Sequence, residues 1–328
     1  MRKIIHVFCV ISFACIFALG CSNNEYYDGY SEENSELSMS ESTKGNLNLK
    51  IPEEYKMIGE KHNEGLESAF ASIRNYYEQS STRSNDVLCN LTKDGFSMIA
   101  QKGLKKFCEE NLGDYSDLFR QMPYQARTTT RSQTGFENSK IATFVDKIKE
   151  VLENEPKSSE QLVEKLNKIS KKASRELPEL EAVAVYAGIS TCYNSYMYWK
   201  ENHMKWFLIL NQPNLVKEFS DEELNCFMLK EGKLIAPVQT RGWWDDAWSS
   251  VGETWDSTKN YVSDWWNYGG GKEVVGTDAG DAVQGAMEGA LVGAYVEGWG
   301  AIPGAVVGGI GVGASSSISA AIQYWIMN

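Results

Sequence analysis

Apolar residues between positions 51 and 235 recur at intervals of three and four rather than two, which is the spacing of helices. A first apolar stripe begins beside Pro52 and two acidic residues, which suit the start of a helix. The stripe comprises Ile51, Tyr55, Ile58, His62, Leu66, Phe70 and Ile73. Ser158 with Gln161 three residues later forms a capping-box pattern. Sequence signals for a sheet are scarce. We therefore predict a mainly α protein, with a helical bundle over residues 51–236.

A longer helix is predicted to begin at Pro178, because proline is tolerated in the first turn. Its middle, residues 182–199, carries no charged side chain. A helix without a polar face is expected to lie among other helices, so we predict that this segment is buried.

The composition changes over residues 237–271, where six of the ten tryptophans fall close together. Their spacing predicts an amphipathic helix, followed by a glycine hinge at residues 269–271. Tryptophan is typical of membrane interfaces, and the candidate interface residues are Trp244, Trp248, Trp255, Trp265 and Trp266. The polar face is acidic, whereas interfacial helices usually carry Lys or Arg. Packing against the bundle is therefore the alternative.

Glycine repeats at every fourth position in two arms of residues 272–328. The repeating positions are Gly285, Gly289 and Gly293 in the first arm and Gly300, Gly304 and Gly308 in the second. A glycine inside a helix costs about 0.8–1 kcal/mol relative to alanine, so the repeat requires compensation. Small residues four apart let two helix backbones approach closely. With Pro303 and flanking glycines at the turn, the pattern predicts an antiparallel αα-hairpin joined by a glycine zipper.

The second arm has no Asp, Glu, Lys or Arg from residue 301 onward. Because about 20 helical residues span a bilayer core of about 30 Å, this arm is long enough to cross a membrane. Glu288 in the first arm opposes insertion by about 2.5–3.5 kcal/mol, so a paired or homo-oligomeric form is expected. Alternatively, the hairpin docks on its own bundle. Residues 278–294 and 304–317 resemble the tails of small pore-forming bacteriocins, and this resemblance implies membrane activity.

The amino terminus is predicted to be a secretory signal over residues 1–20. Arg2 and Lys3 precede a short apolar run that ends in small residues before Cys21. The stretch Ala18-Leu19-Gly20-Cys21 resembles the lipobox of bacterial lipoproteins, which implies cleavage before Cys21 and its acylation. The alternative is an ordinary signal with an incidental cysteine.

Residues 21–50 lack an apolar face and are acidic and rich in Ser and Asn. This composition predicts a disordered tether. An acidic cluster soon after the cysteine is similar to the surface-export signal of Bacteroidota lipoproteins, which implies lipid attachment at the outer membrane or cell surface. A periplasmic face is the alternative.

Net charge restricts the partners of this chain. The formal charge of −12 at pH 7 disfavours nucleic acid, which requires a basic surface. It also disfavours adsorption to anionic lipid by charge alone. Membrane contact is therefore expected to come from apolar residues or from the acyl chain on Cys21.

Candidate catalytic chemistry is sparse, and we predict a non-enzymatic protein without a metal or cofactor. His62 and His203 are the two histidines outside the signal, whereas zinc sites need three or four ligands. His62 lies on an apolar stripe, which favours a hydrogen-bonded core residue; a general base serving Cys192 or a serine is the alternative. The four cysteines of the mature chain could form two disulfides or remain free thiols; they are Cys89, Cys108, Cys192 and Cys226.

Two short motifs, together with the glycine-rich tail, resemble a group of uncharacterised Bacteroidota lipoproteins. They are Gly59-Glu-Lys-His62-Asn63-Glu-Gly-Leu66 and Tyr196-Met-Tyr-Trp199. The resemblance implies no activity, so the role of His62 and Asn63 stays open. The sequence favours a lipid-anchored envelope protein with a membrane-active or self-associating hairpin. A binding or structural lipoprotein is the second hypothesis, and an enzyme with an unrecognised site is the third.

Overall fold

The computed structural model describes residues 49–80, 91–121, 140–211, 229–230, 233–234, 270–295 and 300–327. Within these ranges the chain is mainly α-helical, so the predicted fold class is confirmed. The helices are α1 Glu53–Ser80, α2 Lys93–Asn111, α3 Ser116–Gln121, α4 Lys140–Glu153, α5 Ser159–Glu176, α6 Glu179–Asn211, α7 Gly270–Tyr295 and α8 Ala301–Met327. A 3-10 turn over Gly113–Tyr115 precedes α3.

The chain divides into two compact units. One contains residues 38–218 and 270–328, and it holds all the helices named above. The other contains residues 1–37 and 219–269. In its described part, β1 (Leu229–Lys230) pairs antiparallel with β2 (Lys233–Leu234), with Leu229 opposite Leu234.

Local sequence signals account for several helix starts. The Ser158 hydroxyl accepts a hydrogen bond from the Gln161 backbone N–H at 3.3 Å, which caps α5. The Gln161 side chain accepts from the backbone N–H of Lys157 at 2.6 Å, one residue before the position of a standard capping box. Thr92 caps α2 in the same way as Ser158 caps α5. Polar side chains therefore satisfy backbone donors that helix ends leave unpaired.

The predicted apolar stripe of α1 is buried along its whole length, including His62. The uncharged middle of α6 is also buried, with residues 182–196 covered on nearly every side. As an uncharged middle predicts, this helix lies among others rather than on the surface. α6 packs against α1, α5, α7 and α8 and therefore forms the centre of the helical unit.

α7 and α8 form an antiparallel pair and belong to the interior of this same unit. Besides contacting each other, α7 packs on α4 and α6, and α8 packs on α1, α2 and α6. The sequence pattern predicts a helical domain over residues 51–236 separate from the hairpin over residues 272–328, but the helices between Glu53 and Asn211 share one core with the hairpin, and residues 219–236 belong to the other unit. Gly270 and Gly271, which were assigned to a hinge, are the first residues of α7. Interhelical packing overrides the low helix propensity of the glycines.

The amino-terminal boundary also differs from the expected position. Leu49 is buried, and the backbone of Lys50 hydrogen-bonds to two side chains of α5, Asn167 and Ser170, at 2.6 Å each. Residues 49 and 50 therefore belong to the folded unit, although they were assigned to the tether. Leu47, Leu49 and Ile51 alternate over too short a stretch to form a helical stripe, so the pattern did not assign Leu49 to the folded unit.

Candidate functional site: a buried helical hairpin and its polar cluster

The backbones of α7 and α8 meet at glycines. A Cβ atom added to Gly289 would lie 2.0 Å from the carbonyl oxygen of Gly304, and one added to Gly304 would lie 2.0 Å from that of Gly289. Real Cβ atoms essentially never come within 3.0 Å of another heavy atom, so any larger residue would force the helices apart. We call the residues of this contact the glycine face; they are Gly285, Gly289, Gly293, Gly304 and Gly308.

Gly300 was assigned to the same packing surface, but it has a different role. An added Cβ atom would meet nothing within 4 Å there, and its φ is +97°. Glycine is suited to this position because L side chains rarely adopt that φ. The Gly300 N–H donates to the Gly293 carbonyl at 3.0 Å, which closes the turn end of the hairpin.

Other glycines bring the pair close to the surrounding helices. The Cβ position of Gly309 on α8 is 3.3 Å from Cβ of Ala187 on α6. Gly188 of α6 faces α7, where an added Cβ would lie 2.4 Å from a methyl carbon of Val283 and 2.9 Å from the Ala279 carbonyl oxygen. The hairpin is therefore closely packed against α6 as well as within itself.

α8 is compatible with membrane association. Among the described helices, α8 is the one that is long and apolar enough to cross a bilayer, over Ala301–Trp325. Of its most apolar 18-residue stretch, 78% is buried inside the helical unit. Two of the three exposed large apolar side chains within the described ranges lie near the turn end of the hairpin. These are Leu291, which is 57% exposed, and Ile302, which is 40% exposed.

A polar cluster is buried at the other end of the glycine face, where four helices meet. It consists of His62 on α1, Ser195 and Trp199 on α6, Asp278 on α7 and Ser317 on α8. The Ser195 and Ser317 hydroxyls both donate to Oδ2 of Asp278, the latter at 2.8 Å, and Trp199 Nε1 donates to the Ser317 oxygen at 3.0 Å. His62 Nε2 lies 3.8 Å from the same carboxylate oxygen.

The electrostatics of the polar cluster follow from complete burial. Burial raises the pKa of Asp278 to about 8, although the hydrogen bonds from Ser195 and Ser317 act to lower it. Burial lowers the pKa of His62 to about 4, against the opposing hydrogen bond with Asn63. At pH 7 the favoured state is therefore a neutral imidazole beside a protonated carboxyl group.

His62 and Asn63 take part in hydrogen bonds between helices. His62 Nδ1 lies 3.0 Å from the Asn63 side-chain oxygen, and Asn63 Nδ2 donates to the Asn194 carbonyl of α6 at 3.0 Å. These bonds connect α1 to α6. Every side chain of the polar cluster is buried, and a general base must reach the proton it abstracts.

Two of the four cysteines lie in the described part of the chain. Cys108 and Cys192 are buried free thiols and not partners in a disulfide. Burial raises the pKa of both thiols, with smaller contributions from Glu109 at Cys108 and from Asp278 at Cys192. They are protonated at neutral pH, which makes them weak nucleophiles. Within the same residues no group of three or more metal-ligating side chains occurs.

Sequence reasoning missed Asp278, the centre of the polar cluster. The sequence does contain a signal for burial of Asp278, because this residue follows Val274 and Val275 at helical spacing among small residues. Lys205 was also missed: it is 2% exposed, pairs with Glu67 at 2.6 Å and lies 4.6 Å from the centre of the Phe70 ring.

Several predicted site residues lie outside the described residues. These are Cys21 and the tryptophans Trp244, Trp248, Trp255, Trp265 and Trp266. Their assignments as a lipidation site and a membrane-interface helix therefore stay predictions. Comparisons with protein-family models, curated proteins and solved structures find no match to this chain.

Proposed function

We propose that this protein is a lipid-anchored, non-enzymatic envelope protein whose α7–α8 hairpin is a membrane-active element, stored in a closed form inside its own helical unit. The observation that carries the proposal is a charge-free helix of membrane-spanning length at the carboxyl terminus. It is already paired with α7 along the glycine face and is enclosed by α1, α2 and α6. The anchor is acylated Cys21, at the outer membrane or cell surface.

Storage as a pair lowers the barrier to insertion. A helix in the bilayer needs every backbone polar group satisfied, and association between membrane helices depends on close packing of small residues. The glycine face provides that packing before any contact with lipid. In α7, Glu288 already accepts a hydrogen bond from Gln284 at 2.8 Å, which partly satisfies its carboxylate.

The turn end is the part of the hairpin that first meets lipid in this proposal. Leu291 and Ile302 are exposed there, and the formal net charge of −12 does not favour attraction to anionic lipid headgroups. The affinity for lipid comes from apolar contact near the turn, combined with tethering through the acyl chain. Because the glycine face is occupied within one chain, self-association through it follows release rather than preceding it.

The first prediction concerns release of the hairpin, tested with a disulfide between α6 and α8. The variant is Ala187→Cys with Gly309→Cys, where the two Cβ positions are 3.3 Å apart, close to the usual disulfide range of about 3.5–4.5 Å. In the oxidised form the hairpin cannot leave α6, so dye release from phosphatidylcholine vesicles should be lost. Reduction should restore it in the same sample.

The matched control places the disulfide inside the hairpin. Ala282→Cys with Gly313→Cys joins α7 to α8, with Cβ positions 3.2 Å apart. This disulfide leaves the pair free to move as one body, so dye release should survive oxidation. Equal dye release from the oxidised and reduced α6–α8 variant would contradict release of the hairpin.

A second candidate function is a binding or structural lipoprotein in which the hairpin only completes the core. The observation that favours it is the 78% burial of the apolar window of α8, as in an ordinary core helix. This function predicts no dye release from any form of either variant. The same experiment therefore separates the two candidates.

A further inference from the structure

We infer that the polar cluster is a proton-dependent latch, which holds the hairpin against α1 and α6 and loosens as the pH rises through neutrality. The geometry that carries this inference is the position of Asp278. It joins α7 to Ser195 of α6 and Ser317 of α8, and it faces His62 of α1. Asp278 is the only buried Asp or Glu among the described residues.

Two atoms of the cluster can exchange a proton with solvent only after the latch has opened. Asp278 Oδ1 and His62 Nε2 are buried and have no hydrogen-bond partner within the described part of the chain. Oδ2 already accepts from two serines, so a proton on the carboxyl group resides on Oδ1. While His62 is neutral, an ionised carboxylate at this place would be a buried charge without a cationic partner, which is strongly unfavourable.

The charged groups around the cluster do not remove this penalty. Asp281, one turn along α7, raises the pKa of Asp278 further, and Cys192 on α6 is a protonated thiol. Lys149 on α4 lies beside Gly280, with its Nζ 3.9 Å from the Cβ position there. On α6, Lys205 is paired with Glu67, and burial lowers the pKa of His203. On α1, Lys56 pairs with Glu53 and Lys61 with Glu64. Surface pairs on the neighbouring helices are Lys105–Glu109 and Lys106–Glu110 on α2 and Asp117–Arg120 on α3.

The closed cluster and the separated residues bind different numbers of protons. In the closed state Asp278 keeps its proton up to pH about 8, and His62 is neutral above pH about 4. Once separated, His62 holds a proton only below its ordinary pKa of 6.5, and Asp278 only below 3.8. Each state therefore holds about one proton between pH 4 and 6.5. Between pH 6.5 and 8 the closed state alone holds one, so opening releases a proton to solvent.

Closing is therefore favoured equally from pH 4 to 6.5 and becomes weaker above that range. The equilibrium constant for closing changes tenfold per pH unit for each proton released. Over the interval from 6.5 to 8 it should fall roughly 30-fold by that relation. The raised pKa of Asp278 stabilises the closed state fully below pH 3.8, and this stabilisation is lost as the pH rises. The lowered pKa of His62 stabilises the closed state fully above pH 6.5, and this stabilisation is lost as the pH falls.

The test measures unfolding by urea with circular dichroism from pH 4 to 8.5, on the chain from residue 22 without lipid. We expect the wild-type midpoint to fall between pH 6.5 and 8. Below pH 6.5 the buried His203, whose pKa burial also lowers, weakens every chain alike, so the variants are compared with the wild type there. Asp278→Asn should lose the fall above pH 6.5 and be weakened more than the wild type below it, because His62 then titrates without Asp278. His62→Gln should keep the fall above pH 6.5 and gain stability relative to the wild type below it, because Asp278 then titrates without His62.

Glu273→Gln is the matched control, because it removes an exposed acid from the same helix, more than one turn away from Asp278. It should keep the wild-type profile. Identical profiles for Asp278→Asn and Glu273→Gln would overturn the latch, and so would a wild-type midpoint that does not fall between pH 6.5 and 8. If Asp278→Asn does not fold, the wild-type and His62→Gln profiles decide by themselves.

Use of the latch for membrane release rests on the proposed function, and a vesicle experiment separates the two. Sedimentation with phosphatidylcholine vesicles should bind more wild-type protein at pH 8 than at pH 6, with no such difference for Asp278→Asn. A pH-dependent latch without vesicle binding at either pH would leave the latch standing and reject the membrane-active hairpin. Vesicle binding without pH dependence would support the membrane-active hairpin and reject the use of the latch for its release.

Discussion

At the scale of single residues, two glycines of α7 show how the surroundings decide the effect of one methyl group. A Cβ atom added to Gly276 would lie 3.5 Å from a side-chain carbon of Lys149, an ordinary contact. At Gly289 the added atom would lie 2.0 Å from a carbonyl oxygen of α8. Both residues lie in the interior of the same helix, so they carry a similar backbone propensity.

The second prediction therefore compares Gly276→Ala with Gly289→Ala. Gly276→Ala should stabilise the protein by up to about 1 kcal/mol, because alanine is the better helix former. Gly289→Ala should destabilise it by about 1–3 kcal/mol through overpacking, and Gly289→Leu by more. Urea unfolding followed by circular dichroism measures both. Equal stabilisation at the two positions would show that the helices do not meet at Gly289.

At the scale of elements, α1 and α6 are joined by a charged contact as well as by apolar packing. Lys205 of α6 is 2% exposed, whereas its partner Glu67 of α1 is 45% exposed. The ammonium group also lies 4.6 Å from the centre of the Phe70 ring, which favours a cation at that place. Removal of Glu67 leaves the buried ammonium of Lys205 without a counter-ion. Removal of Lys205 leaves a carboxylate that is still in contact with water.

The third prediction follows from this asymmetry. Glu67→Gln should destabilise the fold by about 1–3 kcal/mol, because a buried ammonium loses its counter-ion. Lys205→Met should be less damaging, because the stem is apolar already and Glu67 keeps its contact with water. Thermal unfolding of the two variants side by side tests the order. A larger loss from Lys205→Met would mean that packing of the stem, not charge, holds the helices together.

At the scale of the whole molecule, the folded unit begins earlier than its first helix. Leu49 is 2% exposed, and Lys50 donates its backbone N–H to Asn167 and accepts from Ser170. Both partners lie on α5, more than 100 residues along the chain. The start of the unit is therefore anchored by contacts that no local pattern displays.

The fourth prediction compares two truncated chains. A chain beginning at residue 49 should unfold at the same temperature as one beginning at residue 22. A chain beginning at residue 52 should lose stability on the order of 2–5 kcal/mol, the usual effect of emptying a buried leucine site. Calorimetry on the three chains measures this. A loss on removal of residues 22–48 would contradict the boundary and assign a folding role to the predicted tether.

The sequence by itself determined the helical class, because apolar spacing and capping residues are local signals that survive in the fold. The stripe of α1, the cap at Ser158 and the burial of the middle of α6 were all predictable for this reason. The pairing of the glycine arms was predictable for a similar reason, because the two arms are adjacent in the chain and share a local repeat. The joining of Asp278 to His62 depends instead on which helices become neighbours, and that choice is made by packing between residues more than 200 positions apart. Only the tertiary structure therefore decided that the hairpin lies inside the helical unit, and that an aspartate among glycines forms the centre of a buried cluster.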